Sequence, residues 1–143
     1  MAKRNATAKW DGGLQEGGGT VSLGTGVLEA PFSFSSRFED GAGTNPDELM
    51  AASLAACFTM QLSGVLDNAG HTPESLETEA NVTLRQDDDG LAITKIDLTL
   101  RGSVPGIDQA EFATRAQEAK ALCAVSNALA AVDEITLDAT LER

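Results

Sequence analysis

The spacing of apolar and polar residues divides the chain into strands and helices with recognisable ends. Over the first forty residues, short alternating stretches such as Val21/Leu23 and Phe32/Phe34 are separated by glycine-rich breaks, which predicts strands joined by turns. Alternation returns from Leu76 to Leu84 and again over 91–101, and the run DDDG at 87–90 between them is typical of a hairpin turn.

The second half of the chain continues this order with helices and a last strand. The strand over 91–101 changes its apolar phase between Ile93 and Ile96, which predicts a bulge or a stretch buried on both faces. A helix is expected from near Asp108 to about Leu122, followed by a further short helix and a closing strand over 135–141. Strand groups that alternate with helix groups predict an α+β fold with antiparallel sheet.

One uncharged segment, LMAASLAACFTMQLSGVL at 49–66, stands out from the rest. Asn45 is a good N-cap, Pro46 suits the first helical position, and acidic residues follow, so a helix is expected to run from there to about Asn68 and to stop at Gly70. Its length just reaches that of a membrane span. However, the segment contains several polar residues, and the rest of the chain is polar. We therefore expect it to form the central buried helix of a soluble domain.

Composition and charge narrow the function classes. A chain of 143 residues fits a single domain over 1–143, but one Trp, five Phe and no Tyr make its core poor in large side chains, which favours sharing the core with a second copy. The net charge of −12 argues against nucleic acid and anionic membranes as partners. The start, MAKRNATAKW, has no apolar run after its basic residues, so we expect a cytoplasmic protein.

Two cysteines, Cys57 and Cys123, are the candidates for redox or nucleophilic chemistry. They are 66 positions apart and form no CxxC motif, and with His71 they give three soft ligands, too few for a structural zinc site. His71 follows Cys57 by fourteen residues, roughly 21 Å along a helix, which disfavours a Cys–His pair. We therefore expect no metal.

A reactive Cys57 would need a cation, because burial among apolar residues raises a thiol pKa. Arg37 is the only Lys or Arg between Lys9 and Arg85. The residues alone leave both alternatives open: Arg37 can be a surface residue paired with a nearby acid, and Cys57 can be an inert core thiol.

The segments GTNPDELMAASLAACFTMQL and CAVSNAL resemble those of the OsmC/Ohr family, the osmotically inducible protein C and organic hydroperoxide resistance proteins. The segments GHTPESLETEANVTL and AITKIDLTLRGSVPGID are more similar to the OsmC branch. The resemblance implies an α+β, OsmC-like fold that forms an intertwined homodimer, with antiparallel sheets wrapped around two long central helices. It also implies a part in the response to oxidative and osmotic stress.

The resemblance further implies a thiol-dependent peroxidase that prefers organic hydroperoxides to hydrogen peroxide. Cys57 takes the place of the peroxidatic cysteine, Cys123 that of the resolving one, and Arg37 that of the catalytic arginine. Asp47 stands where the family has the glutamate that pairs with this arginine, so either Asp47 or Glu48 is expected to hold it.

The mechanism that follows from the resemblance uses no cofactor. Cys57 forms a sulfenic acid, Cys123 condenses with it to a disulfide, and a dithiol reductant, such as a dihydrolipoyl group, reduces that bond. Ala124 replaces a proline that the family usually has after the second cysteine, which should loosen the local backbone. The apolar walls of the substrate pocket are expected among Phe38, Leu49, Met50, Leu54 and Phe58.

Two other classes compete with the peroxidase. The first is a non-catalytic dimer that binds a lipid-like metabolite in an apolar pocket, and the second is a thiol redox sensor. An arginine beside Cys57, delivered by the same chain or by a neighbouring subunit, would argue against the first, because a binding scaffold has no need of a buried cation.

Overall fold

The computed structural model describes residues 1–142, which form two compact units. The N-terminal unit covers Met1–Leu49, and the C-terminal unit contains the rest of the described chain from Met50 on. Helices and strands occur in both units, in agreement with the predicted α+β class.

The N-terminal unit is built on a three-stranded antiparallel sheet in the order of the chain, with strands β1 Ala6–Asp11, β2 Gly18–Leu23 and β3 Glu29–Phe32. This confirms the predicted strands and turns up to Phe32, but the strand pattern expected at Phe32 and Phe34 is wrong at Phe34, which lies in the helix that follows. A short helix, α1 Phe34–Phe38, follows the sheet and was not expected from the sequence. It starts at a capping box in which Ser33 and Ser36 each accept the other's backbone N–H, and serine is an unusual choice for the second position.

The long helix α2 covers Pro46–Asn68, with the predicted ends. At its start, the Asn45 side chain accepts the backbone N–H of Glu48 at 2.8 Å. At its end, the N–H of His71 donates to the carbonyl of Leu66 at 2.9 Å, and Gly70 has a φ of +85°, which completes a Schellman turn.

The C-terminal unit contains a second three-stranded sheet, with strands β4 Ser75–Asp87, β5 Gly90–Ser103 and β6 Glu134–Leu141. The β4–β5 hairpin has the predicted bulge, because Thr83 lies opposite Lys95 while the next residue, Leu84, lies opposite Ile93.

The expectation of purely antiparallel sheet is wrong for this second sheet, since β6 runs parallel to β5. The chain between these two strands contains helices α3 Gln109–Leu122 and α4 Ala124–Ala128. This crossover brings the chain back to the start of β5, and parallel pairing is the result. Asp108 caps α3 by accepting the N–H of Glu111 at 2.8 Å, as its position predicted.

The core of the C-terminal unit joins one side of α2 to the second sheet and α3. Its fully buried members include Leu54, Phe58, Leu62, Ile96 and Phe112. The sequence predicted a helix buried on every side, but the single chain covers α2 on one side only. By length and composition α2 could cross a membrane, a test that core helices also pass. Its opposite side carries Ala52, Ala56, Met60 and Gly64, all exposed.

Candidate active site

The structure brings the two cysteines together as free thiols. Cys57 lies in the middle of α2 and is half-buried, whereas Cys123 is fully buried at the N-cap of α4. The N–H of Ser126 donates to the Cys123 sulfur at 3.5 Å, so the sulfur takes the place of the side-chain oxygen that usually caps a helix. Residues far apart in sequence therefore form one dithiol.

The surroundings shift the pKa values of the two thiols in opposite directions. Burial raises the pKa of Cys57, but the backbone N–H groups of Val125 and Ala124 and the Cys123 thiol together outweigh it, so that the pKa of Cys57 is lowered. Burial is also the largest cause at Cys123, whose pKa is raised, and the neighbouring Cys57 adds to the rise. The pair can therefore hold a thiolate at Cys57 next to a thiol at Cys123.

Arg37, on α1, forms an ion pair with Asp47, in the first turn of α2. The guanidinium Nε donates to one carboxylate oxygen at 3.1 Å and Nη2 donates to the other at 3.3 Å. The side chain of Asp47 is 11% exposed and that of Arg37 is 28% exposed. A bidentate pair of this kind fixes the plane of the guanidinium as well as its place.

Glu48, the alternative partner of Arg37, is engaged elsewhere. Its carboxylate accepts the Thr44 hydroxyl at 2.8 Å. The sequence left the choice between Asp47 and Glu48 open, and the geometry selects Asp47. Although aspartate has one methylene less than glutamate, it makes both hydrogen bonds to the arginine.

Next to Arg37 the N-terminal unit has an apolar cavity of about 310 Å³. The Phe38 ring lies 5.4 Å from the guanidinium carbon, in cation–π range. Of the residues around this cavity, the sequence predicted Arg37 and Phe38 and missed the others, which are Trp10, Leu14, Phe32, Ser33, Phe34 and Pro46. The composition contained one signal for this cavity: the chain has few aromatic residues, and the one Trp and three of the five Phe line it.

The other predicted wall residues are not among those that line this cavity. Leu49 and Met50 are half-buried, and Met50 packs against the core of the C-terminal unit. Leu54 and Phe58 are core residues without exposed surface in the single chain. Their role as substrate contacts stays a prediction.

The predicted site residues thus fall into two groups, the Arg37–Asp47 pair in the N-terminal unit and the dithiol in the C-terminal unit. Within residues 1–142 the structure gathers no group of three His, Cys, Asp or Glu side chains that could hold a metal ion.

Two free cysteines in contact, on an α+β fold of two three-stranded sheets, indicate a thiol-based redox protein. The family model described as OsmC-like protein matches residues 39–138. The chain belongs to this family, as its motifs predicted.

Relatives support this assignment over most of the chain. Peroxiredoxin OsmC of Escherichia coli (strain K12) is 49% identical over 140 residues, which cover 97% of this chain and 96% of that protein. The organic hydroperoxide resistance protein of Xanthomonas axonopodis pv. citri (strain 306) is 35% identical over 98 residues, 68% of this chain and 67% of that protein. Among solved structures, an organic hydroperoxide resistance protein from Elizabethkingia anophelis matches with a TM-score of 0.72 at 26% identity, covering 100% of this chain and 97% of that one.

Proposed function

We propose that this protein is a cysteine-based peroxidase that reduces organic hydroperoxides, and hydrogen peroxide less well, to alcohols and water. The observation that carries the proposal is the contact between the Cys57 and Cys123 thiols; the lowered pKa of Cys57 and the raised pKa of Cys123 agree with it. The names of two relatives, a peroxiredoxin and an organic hydroperoxide resistance protein, agree with it.

The reaction runs through sulfur alone. The Cys57 thiolate attacks the distal oxygen of the hydroperoxide, the O–O bond breaks, and the alkoxide takes a proton and leaves as the alcohol. The sulfenic acid on Cys57 then condenses with the Cys123 thiol, which forms a disulfide and releases water. A dithiol reductant, such as a dihydrolipoyl group, opens this disulfide by exchange and is itself oxidised to a disulfide. No metal or organic cofactor takes part in these steps.

Arg37 supplies the cation for the peroxidatic sulfur in this proposal, and Asp47 holds its guanidinium. A planar guanidinium can face a thiolate and a peroxide oxygen together, which a lysine ammonium does less well. The bidentate pair with the nearly buried Asp47 supports a fixed orientation of the arginine.

The aromatic cavity beside Arg37 supports an alkyl or aryl hydroperoxide as the substrate. A cavity of about 310 Å³, next to a cation and lined by Trp10, Phe32 and Phe34, favours a hydrophobic body with a polar end. Hydrogen peroxide gains nothing from such walls. Leu49, Met50, Leu54 and Phe58 stay candidates for further walls in the assembled protein.

The working form is a homodimer, formed through surfaces that the single chain leaves apolar. Every fully buried apolar side chain of the described residues lies at or after Leu54, whereas the buried residues of the N-terminal unit are Ser36, Thr44 and Asp47. The exposed side of α2, with Met60 76% exposed between small residues, allows close approach of a second helix. We propose an intertwined dimer in the cytoplasm in which each chain, 1–143, acts as one domain.

Turnover of cumene hydroperoxide under dithiothreitol tests the function, with hydrogen peroxide in parallel. We expect catalytic turnover by the wild type, none by Cys57→Ser, and a single turnover by Cys123→Ser followed by over-oxidation of Cys57. The variant pair is matched, since each removes one sulfur.

The competing classes give different results in the same assay. One oxidation per chain without turnover would establish a redox sensor instead, and no reaction at all would establish a binding scaffold. Either result overturns the peroxidase.

A further inference from the structure

Arg37 lies on a helix that depends on outside contacts for its position. Helix α1 has five residues, far fewer than an isolated helix needs to be stable in water. It is joined to α2 by the loop over 39–45, in which Gly43 has a φ of +115°. Something other than α1 itself must hold Arg37 opposite Asp47.

Two hydrogen bonds tie α1 to the residues just before α2. The buried Ser36 hydroxyl lies 2.7 Å from the carbonyl of Thr44, to which it donates. The Asn45 amide nitrogen donates to the carbonyl of Ser36 at 3.0 Å. Both bonds act at residue 36, one position before the arginine.

The Asn45 side chain also makes a second hydrogen bond, the one that an ordinary N-cap residue makes. Its oxygen accepts the N–H of Glu48 at 2.8 Å in the first turn of α2. One amide group therefore spans both helices, with its oxygen on the turn that carries Asp47 and its nitrogen on the backbone next to Arg37. An ordinary N-cap needs only the oxygen, since serine, aspartate and asparagine cap about equally well.

We propose that Asn45 is a positioning residue for the reaction, whose amide nitrogen holds α1 so that the Arg37 guanidinium stays in register with Asp47. The inference rests on the proposed function, in which Arg37 serves Cys57. Small displacements of a catalytic group reduce the rate steeply. The hydrogen bond from Asn45 to Ser36 would therefore affect activity as well as stability.

The test separates the two halves of the amide. Asn45→Ser keeps an oxygen for the N–H of Glu48 and loses the donor to Ser36, without a change of charge. The control is Asp108→Ser at the cap of another helix, α3, where Asp108 makes one bond to the N–H of Glu111; unlike Asn45→Ser, it also removes a charge. Asn45→Asp, which keeps the cap and the side-chain size, is the second variant and secures the test should the serine variant fold poorly.

Three readouts are taken on each variant. We expect kcat/KM for cumene hydroperoxide to fall roughly five- to tenfold in both Asn45 variants, the loss typical of one hydrogen bond, and to stay near the wild-type value in Asp108→Ser. We expect the pH midpoint of Cys57 alkylation to rise. In ¹⁵N spectra the Arg37 Nε–H, bonded to Asp47 in the wild type, should exchange faster with water in the Asn45 variants only.

The outcomes distinguish this inference from the function beneath it. If the wild type turns over and the Asn45 variants keep its kcat/KM, or lose activity without a change at Arg37 Nε–H, the positioning role is wrong. If the wild type shows no turnover, the proposed function fails, while faster Arg37 Nε–H exchange would still support the tie between the helices.

Discussion

At the residue scale, two hydrogen bonds join the oppositely charged groups of Arg37 and Asp47 in the candidate site. Asp47→Asn removes the charge and keeps the shape, so we expect kcat/KM to fall roughly 10- to 100-fold, because hydrogen bonds to charged groups contribute about 1.5–3 kcal/mol. Glu48→Gln is the control, since a glutamine can still accept the Thr44 hydroxyl. We expect it to stay near wild type. Equal losses in the two variants would contradict the pairing.

The opposite pKa shifts of the two thiols predict different pH profiles for their alkylation. Since only the thiolate reacts, the rate rises with pH and levels off above the pKa. The midpoint for Cys57 should lie below that of an ordinary thiol, about 8.5, and the midpoint for Cys123 should lie above it. Pulsed iodoacetamide labelling of the reduced protein with peptide mapping measures both at once.

The unfolded chain is the control for this experiment. In denaturant the two midpoints should converge on the ordinary value. Should the folded protein give coincident midpoints as well, the asymmetric dithiol would be ruled out.

At the element scale, the sequence predicted those helices and strands whose ends are set by local chemistry. Asn45, Gly70 and Asp108 mark helix ends through side-chain caps and a left-handed glycine, and each does so in the structure. Helix α1 was missed because a five-residue helix has no periodicity to read, and its capping box uses serine twice.

Other features depend on tertiary structure, so local sequence patterns could not predict them. The parallel pairing of β6 with β5 follows from the path of the chain through α3 and α4, because strand residues alternate in the same way in both pairings. In the candidate site, the resemblance indicated the residue types, but the choice of Asp47 over Glu48 required the bond from Thr44 to Glu48. Trp10 and Leu14 come from the distant first hairpin.

The end of α2 offers a direct test of these local rules. Gly70 has a φ of +85°, and the space that a β-carbon would occupy there is open, so Gly70→Ala adds backbone strain without a clash. We expect a loss of about 1–2 kcal/mol in the free energy of unfolding. Gly13→Ala, also in open space but outside the left-handed region, is the control and should be neutral or slightly stabilising. Equal effects in denaturant titrations would show that the turn at Gly70 does not need its glycine.

At the scale of the whole molecule, the exposed side of α2 predicts self-association. Met60 is 76% exposed in the single chain, so Met60→Asp should leave the chain folded but bury a charge in the dimer. Sedimentation should give the wild type twice the chain mass of 14.8 kDa and the variant a single chain mass.

The control substitutes another exposed apolar residue. Leu91, 48% exposed at the start of β5, lies on a different element of the chain, and Leu91→Asp should stay dimeric. A monomeric wild type, or a dimeric Met60→Asp variant, would show that this face of α2 does not form the dimer interface.

The central claim is that Cys57 passes the oxidation by a hydroperoxide on to Cys123. The most direct measurement adds one equivalent of cumene hydroperoxide to the reduced protein and follows intact mass, peptide map and cumyl alcohol. The account predicts one alcohol per chain, a mass lower by about 2 Da, and a peptide joined through Cys57 and Cys123. An unchanged mass, or oxygen retained on Cys57 while the Cys123 thiol stays free, would contradict it.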